Sequence, residues 1–230
     1  MAELTEAALA DALPGRAVRV YPALLSTAAE ALAWARASAP EGAVVVAGYQ
    51  ASPRGRAGLE WSVRPGVDLC FSLVLRPTLP PEHEGWLYIA ASCGLPDALD
   101  ARVRWPDAAG DARVGLHAEL GPDGIESAVL NVLVPGAPLP HAAALARVVE
   151  AVEARYRSPA TPVLADYLRR CETLGERVRA RMIPLGPGGV EFTGRAATVN
   201  RDGALVLELD DERRIAIRPQ NLGLLDSLKR

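Results

Sequence analysis

Short apolar runs rich in β-branched residues predict strands, and apolar residues repeated at intervals of three and four predict helices. The strand-like runs cover residues 43–49, 67–75, 114–120 and 125–134. The last two flank Gly121-Pro122-Asp123-Gly124, which predicts a hairpin turn. Helix-like segments cover residues 26–37, 84–93, 141–157 and 163–179. Gly94 and Pro96 are expected to end or kink the second of these helices.

The pattern changes near residue 182. Strands are predicted at residues 190–200, 204–209 and 213–217, separated by the turns Asp202-Gly203 and Asp210-Asp211. Short strands joined by tight turns are typical of a small β-barrel. We therefore predict two units, a larger one of residues 1–181 and a β-rich one of residues 182–230.

Composition narrows the classes of function. Half of the 230 residues are apolar, so the chain can bury a core. The net charge of −3 offers no basic surface for a nucleic-acid backbone. Of the 25 basic residues 24 are Arg, and Lys229 is the single Lys. A mechanism that uses a buried catalytic lysine of this chain is thereby excluded.

The sequence does not predict a membrane helix, a secretory signal or a metal site. The longest apolar stretches fall short of the ~18 residues that a membrane helix needs, and the acidic N-terminus lacks the features of a secretory signal. The three cysteines are far apart and odd in number, which indicates reduced thiols and predicts a cytoplasmic protein. His83, His117 and His141 have no metal-ligand spacing, so no zinc site is expected.

Residues 50–66 form a long predicted loop, dense in Gly, Pro, Ser and Arg, directly after a buried strand. Its backbone amides and the guanidinium groups of Arg54 and Arg56 suit phosphate oxygens, and Trp61 offers a flat apolar surface for a ring. A surface loop with solvated arginines explains the same composition, so both interpretations stand. Gln50 beside a buried strand has no evident structural use and favours function.

The run YQASPRGRAGLEW and the following GVDLCFS resemble the adenylate-binding loop and next strand of biotin protein ligases, whose pattern is Q-x-x-G-R-G-R-x-G-x-x-W and then G-x-x-L-x-x-S. Three more segments fit this family in order. Ser26-Thr27 matches the start of its first helix, Arg104-Trp105-Pro106-Asp107 its K-W-P-N-D motif, and Asn131-Val132 its N-V pair. YLRRCETLGERVR and VNRDGALVLEL resemble its C-terminal helix and SH3-like domain. The resemblance runs from about residue 17 to 225.

The resemblance implies an α+β fold, in which a mixed sheet is flanked by helices as in the class II synthetase-like biotin/lipoate ligases, with a small C-terminal SH3-like β-barrel. It also implies an ATP-dependent biotin–protein ligase that forms biotinyl-adenylate and transfers biotin to a lysine of a biotin carboxyl carrier domain. Biotin and ATP would be substrates, Mg²⁺ would accompany ATP, and no cofactor would stay bound.

The same resemblance bears on partners. Too few residues precede the first strand for the DNA-binding helix-turn-helix of some family members, so no DNA partner is expected, and no membrane partner either. A homodimer and a pairing with an active paralogue are both open.

Carried over by position, the resemblance implies a role for each motif residue. Ser26, Thr27 and Gln50 would bind the ureido head of biotin, while a helix cap is the structural alternative for the first two. Arg54 and Arg56 would hold the acyl-phosphate region and close the loop over it. The full set is Arg56 and Arg113 as catalytic residues, Ser26, Thr27, Gln50, Arg54, Arg56, Trp61 and Gly115 for substrate, and Arg54, Arg104 and Asn131 for nucleotide, with no metal ligand.

Four departures from the family pattern lie towards the ATP side. Pro53 replaces the first Gly of the loop and removes one N–H donor. The K-W-P-N-D motif loses its Lys, its Asn and the final carboxylate, which is Ala108 here. The family's catalytic lysine, three residues before Gly115, is Ala112 with Arg113 beside it. The strand SAVLNV also carries side chains where the family has glycines.

Two hypotheses follow. The first is a biotin–protein ligase in which Arg113 substitutes for the lysine. The second is a catalytically weakened or inactive paralogue that binds biotin or a related acyl ligand, or that partners an active ligase. A lipoate or octanoate ligase fits less well, because the predicted barrel and the loop of residues 50–66, which we call the arginine loop, indicate the biotin branch.

Overall fold

The computed structural model describes residues 4–138 and 140–228, which form five α-helices and twelve strands. The helices are α1 (Glu6–Ala12), α2 (Thr27–Arg36), α3 (Gly85–Leu99), α4 (His141–Arg157) and α5 (Ala160–Arg170). The strands are β1 (Val18–Tyr21), β2 (Val44–Ala47), β3 (Leu69–Leu75), β4 (Val103–Arg104), β5 (Ala108–Ala109), β6 (Ala112–Gly121), β7 (Gly124–Val134), β8 (Arg177–Met182), β9 (Glu191–Val199), β10 (Leu205–Leu209), β11 (Arg214–Ile217) and β12 (Leu222–Ser227). Lys229 lies outside the described residues.

The first sheet has seven strands in the order β1-β2-β3-β7-β6-β5-β4. β1 and β2 are parallel and the other neighbours are antiparallel, so the sheet is mixed. Helices α1, α3 and α4 cover one face with the largest apolar core, and α2 covers the other. The predicted α+β class, with a mixed sheet between helices, is confirmed.

Alternation along β3 separates its residues between the two faces. Leu69, Phe71 and Leu73 belong to the largest core. Ser72 and Val74 point to the opposite side, which we call the α2 face because Val74 packs there with α2. In the strand register Ser72 is opposite Asn131 on β7, and Asn131 is opposite Gly115 on β6. Ser72, Asn131 and Gly115 therefore lie side by side on the α2 face, at the centre of the sheet.

The helix expected over residues 84–93 is α3, which runs on to Leu99 with Pro96 inside it. Gly94 neither ends nor interrupts this helix. A Cβ at Gly94 would lie 2.6 Å from the Cα of Val152 on α4, so the glycine allows the two helices to touch. The expectation that Gly94 or Pro96 ends the helix was therefore wrong, while the alternative of a kink stays a prediction.

The prediction of a helix over residues 163–179 was correct for its first part and wrong for its second. Helix α5 ends at Arg170, and β8 begins at Arg177. Val178 and Ala180 of β8 are buried while the alternating Arg177, Arg179 and Arg181 are more exposed, which is the two-residue period of a strand. The predicted domain boundary after residue 181 falls inside β8.

The second sheet is antiparallel with the order β11-β10-β9-β8-β12. Its strands β9, β10 and β11 occupy the predicted β-rich segment, while β12 has no counterpart in the sequence prediction. The SH3-like classification of this unit stays a prediction.

A second apolar core joins the two sheets. It includes Trp86 and Ile89 of α3, Trp105, Tyr167 of α5, and apolar residues of the second sheet. The indole Nε1 of Trp105 donates a hydrogen bond to the carbonyl of Gly203 at 2.9 Å. Trp105 is therefore a packed aromatic that anchors the second sheet. No helix in the described part of the chain combines the length and apolar character needed to cross a membrane.

We expect Gly203 to be essential for this junction. Its φ is +86°, and a Cβ there would lie 2.3 Å from the carbonyl oxygen of Gly85. Gly188 is a matched control, since its φ is +82° and its Cβ would have no neighbour within 4 Å. Gly188→Ala should cost about 1–2 kcal/mol of unfolding free energy from the left-handed backbone alone. Gly203→Ala should cost about 1–3 kcal/mol more from the clash, and urea denaturation that gives equal losses would contradict this.

Candidate functional site

A buried polar pair lies where α2 begins and the loop after β2 starts. The backbone amide and the hydroxyl of Thr27 both donate to Oε1 of Gln50, at 2.9 and 3.1 Å. Nε2 of Gln50 donates to the carbonyl of Cys70 at 3.2 Å. Ser26 is the N-cap of α2, and its hydroxyl accepts from the Ala28 amide at 3.2 Å. The three residues predicted for the biotin head are thus together, buried and already hydrogen-bonded.

Ser72 extends the hydrogen bonds of Thr27 and Gln50 across the first sheet. Oγ of Ser72 lies 2.9 Å from Oγ1 of Thr27 and 2.8 Å from Oδ1 of Asn131. We call Gln50, Thr27, Ser72 and Asn131 the polar chain. It connects a residue predicted for biotin with a residue predicted for nucleotide.

Ser72 was missing from the sequence-based site residues. A fully buried serine inside the apolar strand LCFSLVL was the available signal, as was its place in the G-x-x-L-x-x-S run. Cys70 lies two residues earlier on the same side of β3, and burial raises the pKa of its thiol to about 12. The thiol of Cys70 is therefore protonated and is not a nucleophile.

The arginine loop is closed down on the first sheet. A Cβ at Gly115 on β6 would lie 2.9 Å from the backbone of Gly55, and a Cβ at Gly55 would lie 2.3 Å from the indole nitrogen of Trp61. Both glycines are needed for this three-layer contact. Trp61 packs on Gly55 of the loop, and Gly115 lies beneath Gly55 on the other side.

Arg56 is the most buried arginine of the predicted site, with 5% of its surface exposed. Its Nε donates to Oδ2 of Asp107 at 2.8 Å. Its terminal nitrogens donate to the carbonyls of Leu222 and Gly223 on β12. One guanidinium thus ties the loop to the turn before β5 and to the second sheet. Its expected contact with an acyl-phosphate stays a prediction.

Three arginines line one cleft with a volume of ≈ 370 Å³ between the loop, the turn before β5 and the second sheet. Arg56, Arg104, Arg113, Trp61 and Asp107 are among its walls, and we call it the arginine cleft. Arg104 lies 3.5 Å from a carboxylate oxygen of Glu172. Nη1 of Arg113 donates to the carbonyls of Gly110 and Ala112, at 2.9 and 3.0 Å.

The other arginine predicted for the loop, Arg54, is exposed and donates to the carbonyl of Gly58 at 3.1 Å. The structure therefore divides the predicted residues into the polar chain with Ser26, the arginine cleft, and Arg54 outside both. Gly115 connects the first two groups, because it pairs with Asn131 and touches Gly55.

Ala112 and Arg113 begin β6 and point to opposite faces of the first sheet. Ala112 is 3% exposed and belongs to the largest core with Val114. Arg113 shares its side of the strand with Gly115, two residues along. The residue that follows the position expected for the family's lysine is therefore a cation, and it lines the arginine cleft.

Known proteins give a consistent comparison. No protein-family model matches the chain. It is 28% identical to the biotin–[acetyl-CoA-carboxylase] ligase of Mycobacterium tuberculosis over 244 aligned positions, which cover 90% of each chain. It is 24% identical to the bifunctional ligase/repressor BirA of Bacillus subtilis over 86% of this chain and 71% of that one. The resemblance to biotin protein ligases is confirmed.

The fold of the chain is likewise that of a biotin protein ligase. The structure of biotin protein ligase from Aquifex aeolicus in complex with biotin and ATP has a TM-score of 0.70 and 18% identity, with 92% of this chain and 99% of that one covered. The biotin acetyl coenzyme A carboxylase synthetase of Helicobacter pylori, with bound biotinylated ATP, has a TM-score of 0.59 at 17% identity, over 87% of this chain and 99% of that one.

The end of the arginine loop is fixed by the carboxylate of Asp68, which is not among the residues predicted for the site. Asp68 accepts from the backbone and guanidinium of Arg64, at 2.6 to 3.0 Å, and from the Gly136 amide at 2.8 Å. These donors lower the pKa of Asp68 to about 2, with the Arg64 side chain the main cause. Asp68 thereby joins the loop to the segment after β7.

We expect Arg56 to stabilise the closed loop and Arg54 not to. Arg56→Met leaves the Asp107 carboxylate without its partner and two carbonyls without their donor. This should cost about 3 kcal/mol or more of unfolding free energy and speed protease cleavage within residues 50–66. Arg54→Met, in the same loop, should change stability by less than about 0.5 kcal/mol. Equal effects of the two variants in urea denaturation and proteolysis would contradict the assignment.

Asp68 should make the free energy of unfolding depend on pH in the acid range. A carboxyl group whose pKa is lower in the folded than in the unfolded chain stabilises the fold above the unfolded value of about 4, and this is lost as the pH falls towards about 2. The loss should reach about 2 kcal/mol. When the free energy of unfolding is measured between pH 5 and about 2, Asp68→Asn should lack this part of its decrease with falling pH. Asp123→Asn, at an exposed carboxylate, should retain it. An unchanged slope in Asp68→Asn would refute the prediction.

Proposed function

We propose that the chain is an ATP-dependent biotin–protein ligase, which forms biotinyl-adenylate and transfers biotin to a lysine of a biotin carboxyl carrier protein. The observation that carries this proposal is the polar chain, buried beside a Gly-Arg loop that rests on Gly115. The named activity of the M. tuberculosis relative and the biotin and ATP in the A. aeolicus structure support the choice of substrates.

The polar end of the site suits a ureido group. Such a group carries N–H donors and a carbonyl acceptor, and burying it is unfavourable unless each is paired. Ser26 and Thr27 at the start of α2 and Gln50 after β2 supply hydroxyl and amide groups, which include both hydrogen-bond donors and acceptors. We assign these three residues to the head of biotin.

Activation would join the two ends of the site. A carboxylate oxygen of biotin attacks the α-phosphorus of ATP, the new P–O bond forms and pyrophosphate leaves. Negative charge is spread over the phosphoryl oxygens, and we assign its stabilisation to Arg104 and Arg113, which line the arginine cleft. Arg54 and Asn131 are assigned to the nucleotide on their motif positions alone.

No group of three or more His, Cys, Asp or Glu side chains able to hold a metal ion occurs among the residues described. In this proposal Mg²⁺ enters with the phosphates of ATP.

Transfer completes the reaction. The neutral amine of a carrier lysine attacks the acyl carbon of the adenylate, an amide forms, AMP leaves and the amine gives up a proton. The arginine cleft opens between the loop and the second sheet, and we assign the approach of the carrier to this opening.

Arg113 is the catalytic cation of this proposal. It faces the site from β6, while Ala112, at the position expected for the family's lysine, lies in the core. A guanidinium stabilises developing charge through a planar pair of donors, with a reach different from that of an ammonium.

Purified protein with biotin and ATP should catalyse pyrophosphate exchange and label a carrier domain. Arg113→Met should lower kcat by about 100-fold or more, the usual effect of losing one donor to developing charge. Arg102→Met is the control, because Arg102 is exposed and lies outside the walls given for the arginine cleft. Biotin binding without exchange or labelling would refute the ligase and favour the inactive paralogue. Absence of biotin binding would refute both.

A further inference from the structure

We propose that Ser72 is a positioning residue, which holds Thr27 and Asn131 in one hydrogen-bonded arrangement and so decides which atom of Asn131 faces a ligand. The inference rests on the proposed function for its meaning, since Thr27 and Asn131 are assigned there to biotin and to nucleotide. Its structural part depends only on contacts within the protein.

Gln50 fixes one end of the polar chain. Its Oε1 accepts from the backbone amide of Thr27, and its Nε2 donates to the carbonyl of Cys70. A backbone amide can only donate and a backbone carbonyl can only accept, so the side-chain amide of Gln50 has one permitted orientation. The Thr27 hydroxyl, 3.1 Å from Oε1 of Gln50, must therefore act as the donor in that contact.

The protons of the chain can then be counted. Three contacts run in series, from Gln50 to Thr27 at 3.1 Å, from Thr27 to Ser72 at 2.9 Å and from Ser72 to Asn131 at 2.8 Å. Two hydroxyl groups supply one proton each. If Asn131 presents its oxygen to Ser72, three oxygen–oxygen contacts share two protons and one contact is repulsive.

All contacts are satisfied when Asn131 donates instead. The Thr27 proton goes to Gln50, the Ser72 proton goes to Thr27, and an amide N–H of Asn131 goes to Ser72. The oxygen and nitrogen of a side-chain amide are assigned by such networks. Ser72 thereby turns the Asn131 carbonyl away from itself, where it can accept from an N–H or O–H group of a ligand.

The strand register makes Ser72 suited to this task. Ser72 is directly opposite Asn131 in the β3–β7 ladder, so their side chains stand together on the α2 face. Ser72 has no exposed surface, and Asn131 is 4% exposed. Water cannot readily replace a missing partner there, and unpaired polar groups in such a place are costly.

The first test needs no ligand. In the wild type, the side-chain NH₂ protons of Asn131 should exchange slowly with solvent, as measured by nitrogen-15 NMR. Ser72→Ala should speed this exchange by about 10-fold or more, because the acceptor is gone. Ser127→Ala is the matched control, a buried serine of β7 outside the polar chain. Ser72→Cys, which keeps the volume close to that of serine, should show the same direction if the alanine variant folds poorly.

Unchanged exchange in both Ser72 variants would overturn the proposal. The second test is calorimetric titration with biotin, in which Ser72→Ala should weaken affinity by about 10-fold through Thr27. Ser127→Ala should bind as the wild type does. Equal affinity of Ser72→Ala and wild type would overturn the positioning role. A wild type that binds no biotin would defeat the proposed function instead, while the exchange measurement still decides the part played by Ser72.

Discussion

The closed form of the site depends on the buried guanidinium of Arg56. Taking this charge out of water is costly, and only several well-placed acceptors can offset that cost. Asp107 and two carbonyls of β12 supply them, one to each nitrogen of the planar fork. The acceptors come from distant parts of the chain, so the loop, the turn before β5 and the second sheet are held together by one side chain. The second sheet is thus part of the wall of the site.

The backbone contact between Gly55 and Gly115 extends this arrangement into the sheet. Because neither residue has a side chain, the loop lies on β6 at a distance that any other residue would prevent. Gly115 is also opposite Asn131 in the ladder, so the polar chain and the arginine cleft meet at one point of the sheet. A shift of the loop would consequently change both ends of the site.

Local patterns predicted much of this fold. The amphipathic period over residues 141–157 gave α4 with its observed ends, and the β-branched runs gave β3 and β7 to within a few residues. β8 was misread as helix because Val178 satisfies both the helical spacing and the two-residue alternation. Neighbours along the chain cannot decide between these periods. The contact of the strand with β9 and β12 does decide it.

Partners that are distant in sequence were beyond such patterns. The candidate residues Thr27, Gln50 and Asn131 came from a motif resemblance, but their connection through Ser72 depends on strand register, which no local signal provides. The acceptors of Arg56 on β12 lie 166 and 167 residues away along the chain. A sequence motif names a residue, whereas its hydrogen-bond partners follow only from the tertiary fold.

Alternation along β6 decides which residue at the start of this strand can present a cation to the arginine cleft. Ala112 points into the core of the first sheet, so a lysine placed there would bring its ammonium towards Val114 and away from the arginine cleft. Burial of that charge without a partner would be strongly unfavourable. Arg113, one residue later, faces the cleft from the side of Gly115 and Asn131. With this alternation, a small apolar residue at 112 fits the core and a cation at 113 fits the cleft. The absence of a lysine at 112 therefore does not leave the cleft without a cation on β6.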